Sequence, residues 1–230
     1  MKKLLLLLAV TMVAISPAWA QGPSFKDKSQ QYEFKDGKTV IKMNCNGIAS
    51  VKNLQNDFGR HYETVLYVTN SKKENYFQGI IHKDSWKQVS AKRTSGSTYS
   101  HYVWQQDKII EYDMTNDFMA DYGNNKKNYI DNNNTVDLCG LIYLLRCDAT
   151  PQTLGAETIL IDKTTLPLSN VEFIEDADTR TFKIKVGKEY HISCRIRKDE
   201  DSTPEYLDIN IPGFTTKASL VEHGNRIALR

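Results

Sequence analysis

One stretch of the chain has apolar side chains at helical spacing. After the polar run 131–134, the apolar positions are Leu138, Leu141, Ile142, Leu144 and Leu145. They go almost all the way round a helix, which is typical of a helix buried on more than one side. The pattern predicts a short buried helix at about 135–146, with Asn134 or Thr135 as N-cap and Asp137 in its first turn.

The rest of the chain alternates apolar and polar residues, the pattern of half-buried strands. Strands are predicted at 39–43, 48–51, 61–68, 76–82, 99–104, 108–112, 158–161, 170–174, 181–186, 190–197, 205–211, 215–221 and 226–229. Many short strands with one polar face predict an all-β fold. We expect one large antiparallel sheet over 21–230, strongly curved or closed like a barrel, with the helix packed into its open side.

Several segments lack this alternation. Residues 21–38 are polar and predict a loosely held arm, and Asn44 to Asn46 and Lys92 to Ser97 predict a turn and a loop. Residues 115–134 predict a surface loop, or a short helix around 117–122. Local features are also expected: a bulge at Gly79, a two-residue turn at Gly187-Lys188 and a last hairpin around 223–225.

The first 20 residues have the order of a secretory signal peptide. Lys2 and Lys3 precede an apolar run that ends at Ser16-Pro17, and Ala18-Trp19-Ala20 is a small-x-small cleavage site. Cleavage after Ala20 predicts a periplasmic or extracellular protein with no remaining membrane span. An uncleaved anchor is the alternative, but the apolar run is short for one. No cysteine follows the cleavage point, which argues against a lipid anchor.

Charge gives no sign of a nucleic-acid partner. Without the two leader lysines, the 30 basic and 28 acidic residues of the whole chain become equal in number. Nucleic-acid binding normally requires a basic patch, so we expect no such partner and no electrostatic docking on anionic lipid.

The four cysteines leave two alternatives open. Cys45, Cys139, Cys147 and Cys194 are an even number in an oxidising compartment, which favours disulfides. They are equally compatible with four buried free thiols. Cys139 and Cys147 lie about 12 Å apart if one helix runs through both, too far to be bridged.

Motifs for catalysis, cofactors or metals are absent from the sequence. The five histidines have no metal-binding spacing, and there is no nucleophile elbow or phosphate-binding loop. Residues 131–137 are weakly similar to a calcium loop but lack its glycine and distal glutamate. We therefore predict no catalytic, cofactor-binding or metal-binding residues and no enzyme activity. An enzyme would need groups such as Asp137, His101 or His191 to converge in a pocket.

Aromatic residues are concentrated in the N-terminal strands. They are Tyr62, Tyr67, Tyr76, Phe77, Tyr99, Tyr102 and Trp104. Ordinary packing between strands explains them most simply. The alternative is an aromatic-lined cavity for lipid or a groove for glycan.

The stretch from Asp137 to Arg146, D-L-C-G-L-I-Y-L-L-R, resembles part of the exported bacterial family called domain of unknown function 3108. Gly155, the strands after Glu157 and the ending 224–229 are also similar to that family, whereas Cys139 stands where a small residue such as serine is usual. The resemblance implies an all-β exported protein, similar to the curved sheets of periplasmic lipid and lipoprotein carriers. It implies no established activity.

Two functional hypotheses follow. The first is a non-enzymatic carrier or binding protein for a lipid or another apolar ligand of the cell envelope. The second is an interaction protein that binds an envelope protein or a glycan. A carrier needs an apolar cavity, whereas the interior of an interaction protein is packed.

Overall fold

The computed structural model describes residues 29–48, 61–70, 74–82, 85, 87–95, 98–114, 127–147, 150, 152 and 154–224. The first eight strands are β1 (Gln30–Asp36), β2 (Thr39–Ile48), β3 (His61–Thr69), β4 (Glu74–His82), β5 (Gln88–Ser95), β6 (Thr98–Trp104), β7 (Lys108–Asp113) and β8 (Lys127–Asp131). After them come β9 (Thr135–Val136), helix α1 (Leu138–Arg146), β10 (Thr158–Ile161), β11 (Thr164–Glu175), β12 (Thr179–Val186), β13 (Tyr190–Arg197), β14 (Pro204–Ile211) and β15 (Phe214–Gly224).

The strands form one large sheet in the order β8-β7-β6-β5-β4-β3-β2-β1-β15-β14-β13-β12-β11-β10-β9. Neighbouring strands are antiparallel, except that β9 and β10 are parallel. The predicted all-β fold with one short buried helix is therefore confirmed. The sheet is not closed by strand pairing, because β8 and β9 are its two ends.

Helix α1 fills the concave side of the sheet. It contacts β3 and β4 in one half of the sheet and β10 and β13 in the other. Every residue from Leu138 to Arg146 is buried, as the nearly continuous apolar pattern predicted. The helix and the inward faces of both halves share one core, so α1 joins the two halves.

The two ends of the sheet meet through side chains. Leu160 of β10 packs with Ala91 of β5 and Tyr102 of β6. The indole nitrogen of Trp104 donates a hydrogen bond of 2.7 Å to the carbonyl oxygen of Thr135. We call these contacts between β5–β7 and β9–β11 the seam. It brings the ends of the sheet together without a ladder of backbone hydrogen bonds.

The N-terminal arm predicted at 21–38 was wrong for its described part, 29–38, because β1 lies within it. This strand pairs with β2 on one side and β15 on the other, near the middle of the sheet. Tyr32 and Phe34 point inward and are buried. These are the two inward apolar residues of β1, and their neighbours are polar. The alternation is therefore too weak to predict a strand from the sequence.

Two other breaks predicted in the strands were also wrong. The residues Asn44 to Asn46 do not turn but continue β2, with Cys45 buried and Asn46 bonded through its amide to Glu63. The predicted loop at 92–97 belongs largely to β5, which pairs with β4 and β6. In both places polar or charged side chains occupy regular strand positions, so composition suggested a loop where neighbouring strands supply the pairing.

Smaller differences concern turns and ends. Pairing between β3 and β4 runs without a shift through Gly79, and the irregularity lies beside it, between Ile80 and Ile81 on the β5 side. Three residues, not two, separate the paired Val186 and Tyr190. Strand β15 runs to Gly224 and pairs with β1, so the hairpin predicted at 223–225 does not start at His223.

Part of the predicted loop 115–134 forms strand β8. The predictions for the signal peptide at 1–20, the arm at 21–28, the strand at 49–51, the loop at 96–97, the loop or helix at 115–126 and the strand at 226–229 lie outside the described residues.

Candidate functional site

Helix α1 begins three residues later than the sequence predicted. Thr135 and Val136 pair with β10 as strand β9, so Asp137 becomes the N-cap. One carboxyl oxygen of Asp137 accepts a hydrogen bond of 2.8 Å from the backbone N–H of Gly140. The prediction of Asn134 or Thr135 as the N-cap was therefore wrong. The β-branched residues Thr135 and Val136 pair with β10, and the local sequence does not show this pairing.

Gly79 lets the start of the helix lie directly against strand β4. A Cβ atom at this position would be 2.6 Å from Oδ1 of Asp137 and 2.8 Å from Cβ of Cys139. Real Cβ atoms do not approach so closely. The glycine thus has a packing role at the helix start, where the sequence had suggested a bulge.

Replacing Gly79 by alanine is expected to lower the free energy of unfolding by about 1–3 kcal/mol, the usual cost of overpacking a core. Urea unfolding followed by circular dichroism measures it. The matched control is Gly224→Ala, since a Cβ there meets nothing within 4 Å. Equal stability of the two variants would show that the helix start is not packed as tightly as described.

Burial changes the acidity of Asp137. It raises the pKa of this carboxyl from 3.8 to about 7, although hydrogen bonds from the Gly140 and Cys139 backbone and the Gln88 side chain lower it. Desolvation penalises the charged form of a carboxyl group. Near neutral pH the carboxyl is therefore present in both protonation states.

A recess opens at the seam, beside the start of the helix. Its walls are largely apolar, and its polar margin includes Asp137. The apolar lining residues are Phe77, Ala91, Tyr102, Leu138, Leu160 and Ile211, and the charged ones are Lys92, Arg93, Asp137 and Asp162. The cavity volume is about 20 Å³, room for one or two water molecules.

Arg93 in the lining of the recess makes both an ion pair and a cation–π contact. Its Nη1 atom lies 2.8 Å from Oδ1 of Asp162, and its guanidinium carbon lies 5.1 Å from the ring centre of Phe77. Only 11% of the Arg93 side chain is exposed, against 57% for Asp162. This ion pair links β5 to the β10–β11 turn and is part of the seam.

The other end of α1 is fixed by Arg146, whose side chain is fully buried. Its donors reach six acceptors: Gln30 Oε1 at 2.6 Å, Tyr32 Oη at 2.8 Å, Asp201 O at 2.9 Å, Ser202 O at 3.1 Å, Cys45 Sγ at 3.1 Å and Tyr62 Oη at 3.3 Å. These acceptors belong to β1, β2, β3 and the segment before β14. Arg146 therefore ties the helix to strands that are distant in sequence.

The charge of Arg146 is kept in this setting. Burial by itself lowers its pKa, but Cys45, Tyr62 and Tyr32 raise it, and the net pKa is above the usual value of arginine. Burial also raises the pKa of the Tyr32 and Tyr62 hydroxyls. The cluster is thus a protonated guanidinium among neutral acceptors, an arrangement suited to holding the helix.

The three residues that an enzyme would have brought together have separate surroundings. Asp137 lines the recess. His101 is buried on β6, on the strand face opposite to Tyr102, and burial lowers its pKa to about 4. His191 lies on the outward face of β13, with Nε2 3.0 Å from Oδ1 of Asp208. Of the three, only Asp137 is part of the recess.

The four cysteines are buried thiols. None of Cys45, Cys139, Cys147 and Cys194 forms a disulfide in this structure, which agrees with the second of the two alternatives. In the segment that is weakly similar to a calcium loop, the polar side chains bind other parts of the protein. The Asn132 amide donates a hydrogen bond to the Gln105 carbonyl, and the Asn134 amide donates one to the Glu157 carboxylate. Across the part of the chain that the structure describes, no group of three or more His, Cys, Asp or Glu side chains is placed to hold a metal.

Some aromatic residues of the N-terminal strands line the recess, and others pack in the core. Phe77 and Tyr102 line the recess, whereas Tyr62 packs against Tyr143 with ring centres 4.6 Å apart. Sequence analysis missed Arg93, because it lies in the segment taken for a loop. It named Arg146 only as the last residue of the stretch that resembles domain of unknown function 3108, although an arginine at the end of an otherwise apolar helix is a signal for a buried polar cluster.

Comparison with known proteins finds a similarity to solved structures but no family. No family model and no curated protein matches the chain. One similar solved structure is a β-barrel-like protein of domain of unknown function 1849 from Brucella abortus. It has a TM-score of 0.43 and 10% identity, over 87% of this chain and 99% of that chain. None of the helices among the described residues has the length and apolar character needed to cross a membrane.

Proposed function

We propose that the protein is a non-enzymatic binding or carrier protein of the bacterial cell envelope, exported by residues 1–20 and cleaved after Ala20. Its ligand is apolar and enters the recess at the seam. The observation that carries this proposal is the apolar wall of the recess, which includes Phe77, Leu138 and Leu160. Concave sites with apolar walls and a few polar groups are typical of ligand binding.

The position of the recess explains how a ligand larger than its present volume is accommodated. The ends of the sheet are joined at the seam by side chains such as Arg93, Asp162 and Trp104. Separating them breaks the ion pairs of Asp162 with Arg93 and of Lys163 with Glu111 and Asp113, and a few other contacts, but no ladder of strand hydrogen bonds. Widening the recess is therefore less costly here than between paired strands anywhere else in the sheet.

The resemblance to domain of unknown function 3108 supports the same proposal. It rests on the helix sequence from Asp137 to Arg146 and implies an exported protein with a curved sheet similar to those of lipid and lipoprotein carriers. This support is by analogy of fold, which is weaker than support from a site.

Native mass spectrometry tests the proposal. The mature protein is purified from its own cell envelope without detergent, and we expect an adduct of lipid mass that leaves on denaturation. Ala91→Phe places a ring in the recess and is expected to remove the adduct. Ser219→Phe, at an exposed position of β15, is the matched control and should keep it. An adduct that survives Ala91→Phe would place the ligand elsewhere.

A second candidate function is supported by a different observation. Helix α1 fills the concave side of the sheet, and its side chains are buried. A packed interior favours an interaction protein that binds an envelope protein or a glycan on its outer surface. If the wild-type protein shows no adduct in the same mass-spectrometry experiment, this function would be favoured over the carrier.

A further inference from the structure

The guanidinium of Arg93 already holds one carboxylate and has a further donor available. Its Nη1 atom is paired with Asp162. Its Nε atom is buried and has no hydrogen-bond partner among the described residues. Nη2 lies beside Gly213, where an added Cβ would be 3.5 Å away, and glycine has no side chain to cover this edge. A planar guanidinium binds a carboxylate with two parallel hydrogen bonds from one edge.

This edge combines a cation with apolar surroundings. Phe77 packs against the guanidinium, and Leu160 and Ile211 line the same recess. A molecule with an acyl chain and a single carboxylate matches both parts, because its chain contacts the apolar wall while its head group meets Arg93.

We propose that the recess binds a fatty acid or a similar acyl carboxylate, with the carboxylate accepting hydrogen bonds from Nε and Nη2 of Arg93. This inference rests on the proposed binding of an apolar ligand and names its class. Asp162 opposes the binding, since its carboxylate is held at the same guanidinium and repels a second negative charge. Asp162 is also mostly exposed, and an exposed ion pair is easily given up.

The test measures binding of dodecanoate, dodecanol and dodecyl phosphate to the purified mature protein by isothermal titration calorimetry. We expect dodecanoate to bind best. Arg93→Gln should weaken dodecanoate binding about tenfold or more, the effect of losing charge-assisted hydrogen bonds, and leave dodecanol unchanged. Arg195→Gln, on the outer face of β13, is the matched control and should leave all three unchanged.

Asp162→Asn gives the sharper result, because it predicts a gain. Removing the competing charge should tighten dodecanoate binding about three- to tenfold. Asp162 has a left-handed backbone with φ 52°, and asparagine tolerates this region well, so the turn is kept. A gain of binding cannot come from misfolding, which keeps the test valid if Arg93→Gln proves unstable.

The outcomes separate this inference from the function on which it rests. If dodecanoate and dodecanol bind equally and neither variant changes them, the carboxylate assignment is wrong but apolar binding stands. Stronger binding of dodecyl phosphate than of dodecanoate would also overturn the carboxylate assignment. If none of the three probes binds the wild-type protein, the proposed apolar-ligand function itself fails.

Discussion

Replacing Arg146 by leucine is expected to lower the free energy of unfolding by about 3–5 kcal/mol, because several buried acceptors lose their donor. The substitution removes the donor from six acceptors and leaves buried groups such as Gln30 Oε1 and the Ser202 carbonyl without it. Each buried polar group that loses its partner costs about 1–3 kcal/mol. Urea unfolding followed by circular dichroism measures the change.

The matched control for Arg146 is Arg195→Leu. Arg195 has a half-exposed side chain that pairs with Glu205 on the outer face of the sheet, so its loss should cost no more than about 1 kcal/mol. A similar small loss for Arg146→Leu would mean that the buried cluster does not hold the helix. A large loss would identify Arg146 as the residue that fixes α1 in the fold.

Replacing Asp137 by asparagine is expected to remove a pH-dependent destabilisation of the wild-type protein. The carboxyl has a pKa of about 7 in the folded chain and 3.8 as its ordinary value. Between these values the folded state binds more protons than the unfolded state, so stability falls as pH rises. At 1.36 kcal/mol per unit of pKa shift, the loss reaches about 4 kcal/mol and is complete above the folded pKa.

Asparagine is a suitable probe because it caps helices as well as aspartate and does not titrate. Urea unfolding of both proteins from about pH 4.5 to about pH 8 gives the difference in stability. We expect the advantage of Asp137→Asn to grow with pH across this range and to level off above about pH 7. A difference that stays constant with pH would show that Asp137 is not buried as an acid.

The recess connects this pH dependence to binding. Asp137 and Arg93 both line the recess, so ionisation of Asp137 adds a negative charge beside the proposed carboxylate site. Dodecanoate binding to the wild-type protein is therefore expected to weaken as pH rises through about 7. The change should be absent in Asp137→Asn, which is measured in the same calorimetric titrations.

Local sequence determined the type of most elements. Alternation in β12 and β13 puts Phe182, Ile184 and Ile192 on one buried face, and a strand with this alternation has only one face to bury. The apolar run from Leu138 to Leu145 determined a helix buried all round. Both features depend on the period of the side chains, which is a property of the chain itself.

Tertiary structure decided which polar residues became important. Strand β1 exists because β2 and β15 pair with it on both sides, and the helix starts at Leu138 because β10 pairs with Thr135 and Val136. Arg93 meets Asp162 across the seam, and Arg146 reaches Gln30 across 116 positions of sequence.

Such contacts depend on how a large sheet curls and where its ends meet. The sequence by itself therefore determined a curved all-β protein with one buried helix. Only the fold decided that the helix is fixed at Arg146 and borders a recess at Asp137, because pairings between distant strands leave no periodic signal in the local sequence.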